Sequence, residues 1–395
     1  MPLGIYVSVP FCRTKCSYCN FASDVFSARV FDRYVDRVCR DIQNARPITE
    51  KMGGKMEKAV DSIYLGGGTP TVLESAQLER IFGTVRGQFD VSDDAETTVE
   101  CAPGTLTDSS IASLLKCGVN RVSLGVQSFV DQEAAAVGRR HTRTIILQEI
   151  ARLRDAGITN INIDLIAGLP HQSTESWEFS VKETIASGPP HVSVYMLEVD
   201  EDSRLGRELL AGGTRYHAQF VPDEEATADF YLKACELLES AGVGQYEISN
   251  FAREGFESRH NLKYWTRQPY LGFGVDSHSM LGSSHAELDA IRFSTADSLE
   301  QYISGKELNR VAVSQQANLE ECFFLELRLN RGVSLSSLAA KFGNDAIETA
   351  RSTIAEFVEH HLMEQRGDWV RLTARGRLLS NEVFERLLLA EQVVR

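Results

Sequence analysis

The chain of 395 residues is 43% hydrophobic and 24% charged, enough apolar material for one large domain and one small one. Its formal net charge of −14 has the wrong sign for long-range attraction to phosphate backbones or anionic lipid, which argues against a nucleic-acid partner. No apolar run approaches the ~20 residues of a membrane span and no signal-peptide pattern follows Met1, so a soluble cytoplasmic protein is expected.

From residue 3 to about 197, short β-branched runs alternate with longer amphipathic stretches, a pattern that predicts βα units building a parallel sheet. The first strand is 4–9. Directly beyond it Cys12, Cys16 and Cys19 form a CxxxCxxC triplet. Three thiolates can hold three irons of a four-iron cluster, which leaves the fourth iron open to a small molecule. Zinc is the competing reading, although no second ligand pair follows. The second strand, 62–65, runs into Gly66-Gly67-Gly68-Thr69-Pro70, where consecutive glycines permit either close backbone approach to a ligand or a plain tight turn. Leu78, Ile81, Phe82, Val85 and Phe89 then recur at helical spacing.

Strands follow at 97–101, 121–124, 160–166 and 191–197, and Gly118, Gly157 and Gly188 each close a helical stretch. The fold class is therefore α/β, a partial (β/α)6 barrel of the TIM type, whose loops at the C-terminal strand ends line the active site. The cysteines sit on the first such loop. Glu100 and Asp164 are strand-end carboxylates able to accept bonds from ribose hydroxyls or an ammonium; Gln127 could do so without charge. Arg139 offers the forked donor that carboxylates prefer. Each of these alone reads more readily as a helix cap or a surface ion pair than as a ligand. Cys39, Cys101, Cys117, Cys235 and Cys322 are scattered, as reduced buried thiols of a cytosolic protein would be.

After Asp223 come a helix to about 241, a short strand at 245–248, and a stretch rich in glycine, histidine and aromatics to about 280. This extension, about 223–297, is expected to cover the barrel mouth and complete a domain of residues 1–297. Residues 298–315 read as a linker. Residues 316–395 form a small helical, winged-helix-like domain: helices at 319–329, 335–342 and 346–359, then a hairpin of 362–365 and 369–372 turning at Arg366-Gly367-Asp368. A winged helix raises the question of DNA. From Lys306 to Arg395 there are 12 Lys or Arg against 13 Asp or Glu, which leaves no basic footprint and favours a packing or docking role.

The triplet and the glycine run together resemble the radical S-adenosylmethionine superfamily, over most of residues 1–280. The resemblance implies a [4Fe-4S] cluster on Cys12, Cys16 and Cys19, with S-adenosylmethionine chelating the open iron. Within the superfamily the chain is similar to the coproporphyrinogen dehydrogenase-like branch, where positions matching Tyr6, Tyr18, Gly67, Gly68, Thr69, Glu100, Gln127, Arg139 and Asp164 contact S-adenosylmethionine. That branch holds oxygen-independent coproporphyrinogen III dehydrogenases and heme chaperones. The dehydrogenase pattern has a further cysteine where this chain has Phe21, and a longer segment ahead of the cluster than the 11 residues preceding Cys12. His260-Asn-Leu-Lys-Tyr264-Trp265 looks like the HNxxYW signature of the heme chaperones, followed by Tyr270-Leu-Gly and Ser277-His-Ser.

The resemblance thus implies a chaperone that binds heme and transfers it to acceptor proteins, with a radical enzyme acting on a tetrapyrrole, a dehydrogenase or a heme methyltransferase, as the alternative. It allows a homodimer, and peripheral membrane association through an acceptor. His260 is then the candidate axial ligand to heme iron, against a hydrogen-bonded packing role, and His278 could instead face the cofactor cavity. Ser8 stands where many relatives carry histidine, and it cannot supply an imidazole's chemistry.

Overall fold

The computed structural model describes residues 1–388. Six strands, β1 (Leu3–Val9), β2 (Ala59–Gly67), β3 (Asp90–Cys101), β4 (Arg121–Gln127), β5 (Asn160–Ala167) and β6 (His191–Met196), lie side by side in chain order, each parallel to its neighbours. All six of these strands are predicted ones, whereas of the strand expected at 245–248 only residue 245 is in a strand. β3 begins earlier than expected because Ser92, Asp93 and Asp94 are exposed and give no apolar alternation to read.

Crossover helices Phe31–Gln43, Ser75–Gln88, Asp108–Lys116, Arg143–Asp155 and Thr174–Ser187 cover the outer face. Leu3, Ile5, Val7 and Val9 pack there with Ile63, Leu65, Val122, Leu124, Ile161, Ile163, Val192 and Val194 in one core. Side chains alternate across a strand, so the intervening residues share the inner face: Tyr6 and Ser8, Ser62 and Tyr64, Arg121 and Ser123, Asn162 and Asp164, His191 and Ser193. A parallel sheet covered on both faces by apolar helices would be hydrophobic throughout. This one encloses a polar interior.

The rest of the large domain extends the sheet. β7 (Gly244–Gln245) and β8 (Asn250–Ala252) add antiparallel beyond β6, while β9 (Tyr270–Gly274) pairs parallel with the free edge of β1. β10 (His278–Gly282), β11 (Ala290–Ser294) and β12 (Asn309–Val313) continue antiparallel from β9. Two expectations change here. The stretch 223–297 lengthens both sheet edges instead of simply covering the mouth, because β1 has an unpaired side that only a later segment can fill. Residues 298–315 hold the helix Leu299–Ser304 and the edge strand β12 rather than a bare linker; four of the five β12 residues are exposed, which is why their pattern reads so weakly.

The helix Arg259–Trp265 lies against the polar face of β1 to β3. A Cβ on Gly4 would stand 2.8 Å from Lys263 Cδ and 3.1 Å from His260 Cε1, so glycine makes the room the helix needs. Beyond the sheet, the helices Gln315–Glu326, Leu335–Phe342 and Asn344–Glu359 build a second core around Leu319, Phe323, Ile354, Phe357 and Val370, into which Ile248 reaches from the barrel side. β13 (Val333–Ser334), β14 (Met363–Arg366) and β15 (Trp369–Leu372) form a three-stranded sheet in the order 13-15-14, with Gly367 at φ 63° in the hairpin turn. Residues 389–395, the end of the block predicted at 316–395, lie outside the described residues. Among the described residues no helix is long and apolar enough to cross a membrane.

Candidate functional site

The cysteine loop leaves β1 and folds back on itself, with the Cys12 N–H donating to Asp24 O (3.0 Å) and the Asp24 N–H to Pro10 O (2.9 Å). Lys15 Nζ donates to Phe21 O and Ser23 O, both at 2.7 Å, and ties the inside of the loop. Cys16 is buried, Cys12 and Cys19 are half-buried, and all eight cysteines of the chain are free thiols. Burial pushes the Cys12 thiol up, and the nearby Cys19 and Cys16 add to the effect. Among the described residues no three Cys, His, Asp or Glu side chains converge on one metal-ion position, whereas an iron–sulfur cluster asks for one thiolate per iron.

The glycine run after β2 is built around this loop. The Gly68 N–H donates to Val9 O (2.8 Å), the Thr69 N–H to Phe11 O (2.7 Å), and the Thr69 hydroxyl lies 3.9 Å from Cys12 Sγ. Gly67, at φ 96°, donates its N–H to Glu100 Oε2 (3.1 Å), and Tyr64 OH donates to Glu100 Oε1 (2.9 Å). A Cβ on Gly66 would come within 2.7 Å of that same carboxylate. Gly66 thus makes space for Glu100, while Gly67 and Gly68 make room for Ser8 and for the backbone of Val9 and Phe11. Burial, and then the neighbouring Asp164, push the Glu100 carboxyl up to about 7. Asp164 is also raised by burial, against hydrogen bonds from Ser123 Oγ (3.1 Å) and Asn162 Nδ2 (2.7 Å).

Arg139 donates to Tyr18 OH (2.9 Å), and a Cβ on Gly125 would meet Gln127 Nε2 at 3.1 Å and Arg139 Nη2 at 3.3 Å. Burial opposes the Arg139 charge, yet Tyr18 and the Cys16 sulfur hold the guanidinium above its usual range. Gln127 sits at φ 68°, a strained backbone for a residue with a side chain. Gln127 Oε1 and Arg139 Nε are buried without any hydrogen-bond partner. Two orphaned polar atoms beside a thiol loop fit a polar cofactor, since a buried polar group without a partner is costly. Tyr6, Tyr18, Gly67, Gly68, Thr69, Glu100, Gln127, Arg139 and Asp164 therefore stand near the C-terminal ends of β1 to β5 or in the loops that follow. Sequence reasoning missed their supports Tyr64, Ser123 and Asn162. The period-two polar alternation of the strands was the signal that could have found them.

His260 lies beside this set, its ring centre 6.2 Å from that of Tyr6 and 5.4 Å from that of Tyr64. It is 1% exposed, with Nδ1 3.0 Å from Ser62 Oγ and Nε2 2.8 Å from Tyr264 OH. Burial, and then Lys263, push it down to about 3, so it is neutral. Both ring nitrogens are engaged, so in this structure His260 is held between Ser62 and Tyr264. Trp265 faces away under the Arg328 guanidinium, 4.7 Å from its ring centre. Tyr264, by contrast, lines a cavity of about 290 Å³ together with Tyr6, Phe21, Tyr270, Asp276 and His278.

The family model described as "Radical SAM superfamily" matches residues 6–183, and that described as "HemN C-terminal domain" matches residues 313–379. The protein "Heme chaperone HemW" of Lactococcus lactis is 32% identical over 392 residues, covering 98% of each chain. Its namesake in Bacillus subtilis is 32% identical over 381 residues, covering 96% of this chain and 97% of its own. Among solved structures, the radical SAM enzyme coproporphyrinogen III oxidase (HemN) of Escherichia coli superposes with a TM-score of 0.83 at 24% identity, over 98% of this chain and 90% of that one, a likeness of fold.

Proposed function

The chain belongs to the HemW family within the radical SAM superfamily, and on that premise we propose that it is a heme chaperone that carries a [4Fe-4S] cluster with S-adenosylmethionine at the barrel mouth and hands heme to acceptor proteins. The observation that carries this reading is the aromatic cavity that shares Tyr6 and Gly67 with the cofactor-binding set. Heme placed there would lie beside the S-adenosylmethionine site.

When bound, the cluster with S-adenosylmethionine supplies one-electron chemistry at a sulfonium. Cys12, Cys16 and Cys19 would hold three irons. Glu100, once ionised, accepts from an ammonium or a ribose hydroxyl, and Gln127 Oε1 takes a further donor. Arg139 presents its unpartnered Nε to a carboxylate, while Asp164, fixed by Ser123 and Asn162, accepts from hydroxyls. Tyr18 anchors Arg139 to the cysteine loop. Eight free thiols suit a reducing cytoplasm. The reading includes a homodimer, and peripheral membrane contact through an acceptor, since a net charge of −14 disfavours direct adhesion to anionic lipid.

The test is anaerobic cluster reconstitution followed by incubation with S-adenosylmethionine and either heme or coproporphyrinogen III. Expected are stoichiometric heme binding, transfer to a heme-free acceptor, and no loss of propionate carboxylates. Multiple-turnover decarboxylation, or catalytic alkylation of heme, would replace the chaperone with a radical enzyme.

A further inference from the structure

We propose that His278 is the side chain that takes the heme iron, and that the cavity beside the cofactor site seats one edge of the macrocycle. The inference rests on the heme-chaperone reading and assigns its ligand.

His278 begins β10, and it is the histidine that lines the cavity. Its imidazole is 67% exposed; Nε2 stands 3.8 Å from Asp276 Oδ1, and Nδ1 has no hydrogen bond among the described residues. At 3.8 Å the Asp276 carboxylate is too far for a hydrogen bond, so neither ring nitrogen of His278 is tied up within the protein and the imidazole is open to a ligand. His260 and His191 differ on this point, since both of their nitrogens are bonded within the protein.

The backbone under His278 is held firmly. Asp276 has φ 52°, a left-handed conformation that a residue with a side chain keeps only when its surroundings impose it. The surroundings do: the Asp276 N–H donates to Ala296 O (2.8 Å), the Ser277 N–H to Thr295 Oγ1 (2.9 Å), and the Ser277 hydroxyl to Gly274 O (3.2 Å). An exposed imidazole on a pinned turn can be offered to a ligand without loop rearrangement.

The walls suit a porphyrin. Tyr6, Tyr264 and Tyr270 present aromatic faces, with Tyr264 and Tyr270 in edge contact at 4.7 Å. Phe21 also lines the cavity and is 65% exposed, a ring that a flat hydrophobic ligand would cover. At about 290 Å³ the cavity is at the lower limit of pockets that enclose drug-sized ligands. It therefore holds an edge and leaves the rest of the macrocycle open, which release to an acceptor requires.

The test is a hemin titration of the full chain, cluster-reconstituted under anaerobic conditions, followed by absorption and electron paramagnetic resonance. His278→Ala should weaken binding at least tenfold and abolish the imidazole signature, while cluster iron content is retained. His278→Met should restore binding with a thioether signature. Wild-type heme binding with unchanged affinity and spectrum in His278→Ala would overturn this assignment and leave the chaperone reading standing. A wild-type chain that takes up no stoichiometric heme would overturn both.

Discussion

Replacing Gly68 by alanine tests the way the glycine run holds the cysteine loop. A Cβ at this position would lie 2.7 Å from both Val9 O and Phe11 O. Both are backbone atoms, so neither can rotate away. Restoring ordinary contact requires the end of β2 to retreat by about 0.5 Å or more, a strain that overpacked sites put at ~1–3 kcal/mol. The retreat also lengthens the Gly68 N–H to Val9 O bond (2.8 Å) and the Thr69 N–H to Phe11 O bond (2.7 Å), which adds ~1 kcal/mol. The expected total is ~3 kcal/mol, read as a lowered urea midpoint of the apo protein. Because Cys12 follows Phe11 directly, iron and sulfide retained after anaerobic reconstitution should fall by at least half. Gly83→Ala is the control: it lies in the helix Ser75–Gln88 with nothing within 4 Å of its would-be Cβ, and should stabilise by ~0.5–1 kcal/mol. A Gly68→Ala protein with an unchanged midpoint and a full cluster would refute the reasoning.

The remaining predictions concern buried charge. Glu100 at about 7 is mostly protonated in mildly acid solution, so S-adenosylmethionine affinity of the cluster-loaded protein should fall up to tenfold per unit below pH 7 and level off above it; Glu100→Gln should flatten the profile, and a profile unchanged by that substitution would exclude Glu100 as the titrating acceptor. Lys263 Nζ, 2% exposed, meets Asp61 at 2.7 Å and donates to Pro2 O at 2.9 Å, so Lys263→Ala should cost ~3 kcal/mol in denaturant unfolding, since it strands a partly buried carboxylate; a loss below ~1 kcal/mol would contradict this. His260 is depressed to about 3 by burial and then Lys263, and His141 to about 4 by burial and then Arg139. Folded values below the ordinary 6.5 mean that their contribution is complete above pH 6.5 and is lost as pH falls towards those values, at up to ~1.4 kcal/mol per unit for each. Raised carboxylates such as Glu100 act with the opposite sign, so the measurement is the difference in urea midpoint between wild type and His260→Asn from pH 7 to 4.5, with the gap expected to close on acidification.

Much of the fold was legible because local chemistry and global architecture agree. The outward-facing residues of β1 to β6 are mostly β-branched or leucine, Gly118, Gly157 and Gly188 follow the ends of three intervening helices, and Gly367-Asp368 announces the last hairpin of the described residues. The cysteine triplet and glycine run were equally readable, since each is a contiguous motif. What escaped was non-local or was masked by composition. Nothing local says that Tyr270–Gly274 pairs with β1, and β12 is too exposed to show a buried face. His260 beside Tyr264 and Trp265 suggested a ligand in an aromatic setting. Yet residues four apart on a helix face one another, and that spacing is what brings Tyr264 OH onto Nε2. The sequence leaves His278 free to face the cofactor cavity, but only the fold sets it beside Tyr264, Tyr270 and Asp276.

The position of β1 between β2 and β9 has a consequence for how this protein is made. As the chain leaves the ribosome, its first strand carries the cysteine loop but keeps one side unsatisfied until residues 270–274 have been synthesised. Nascent chains shorter than that expose a hydrophobic, unpaired strand edge next to reactive thiols, the surface on which misassembly begins. Iron–sulfur loading is therefore best timed late in translation, when the closing strand has docked and the thiols no longer sit on an open edge.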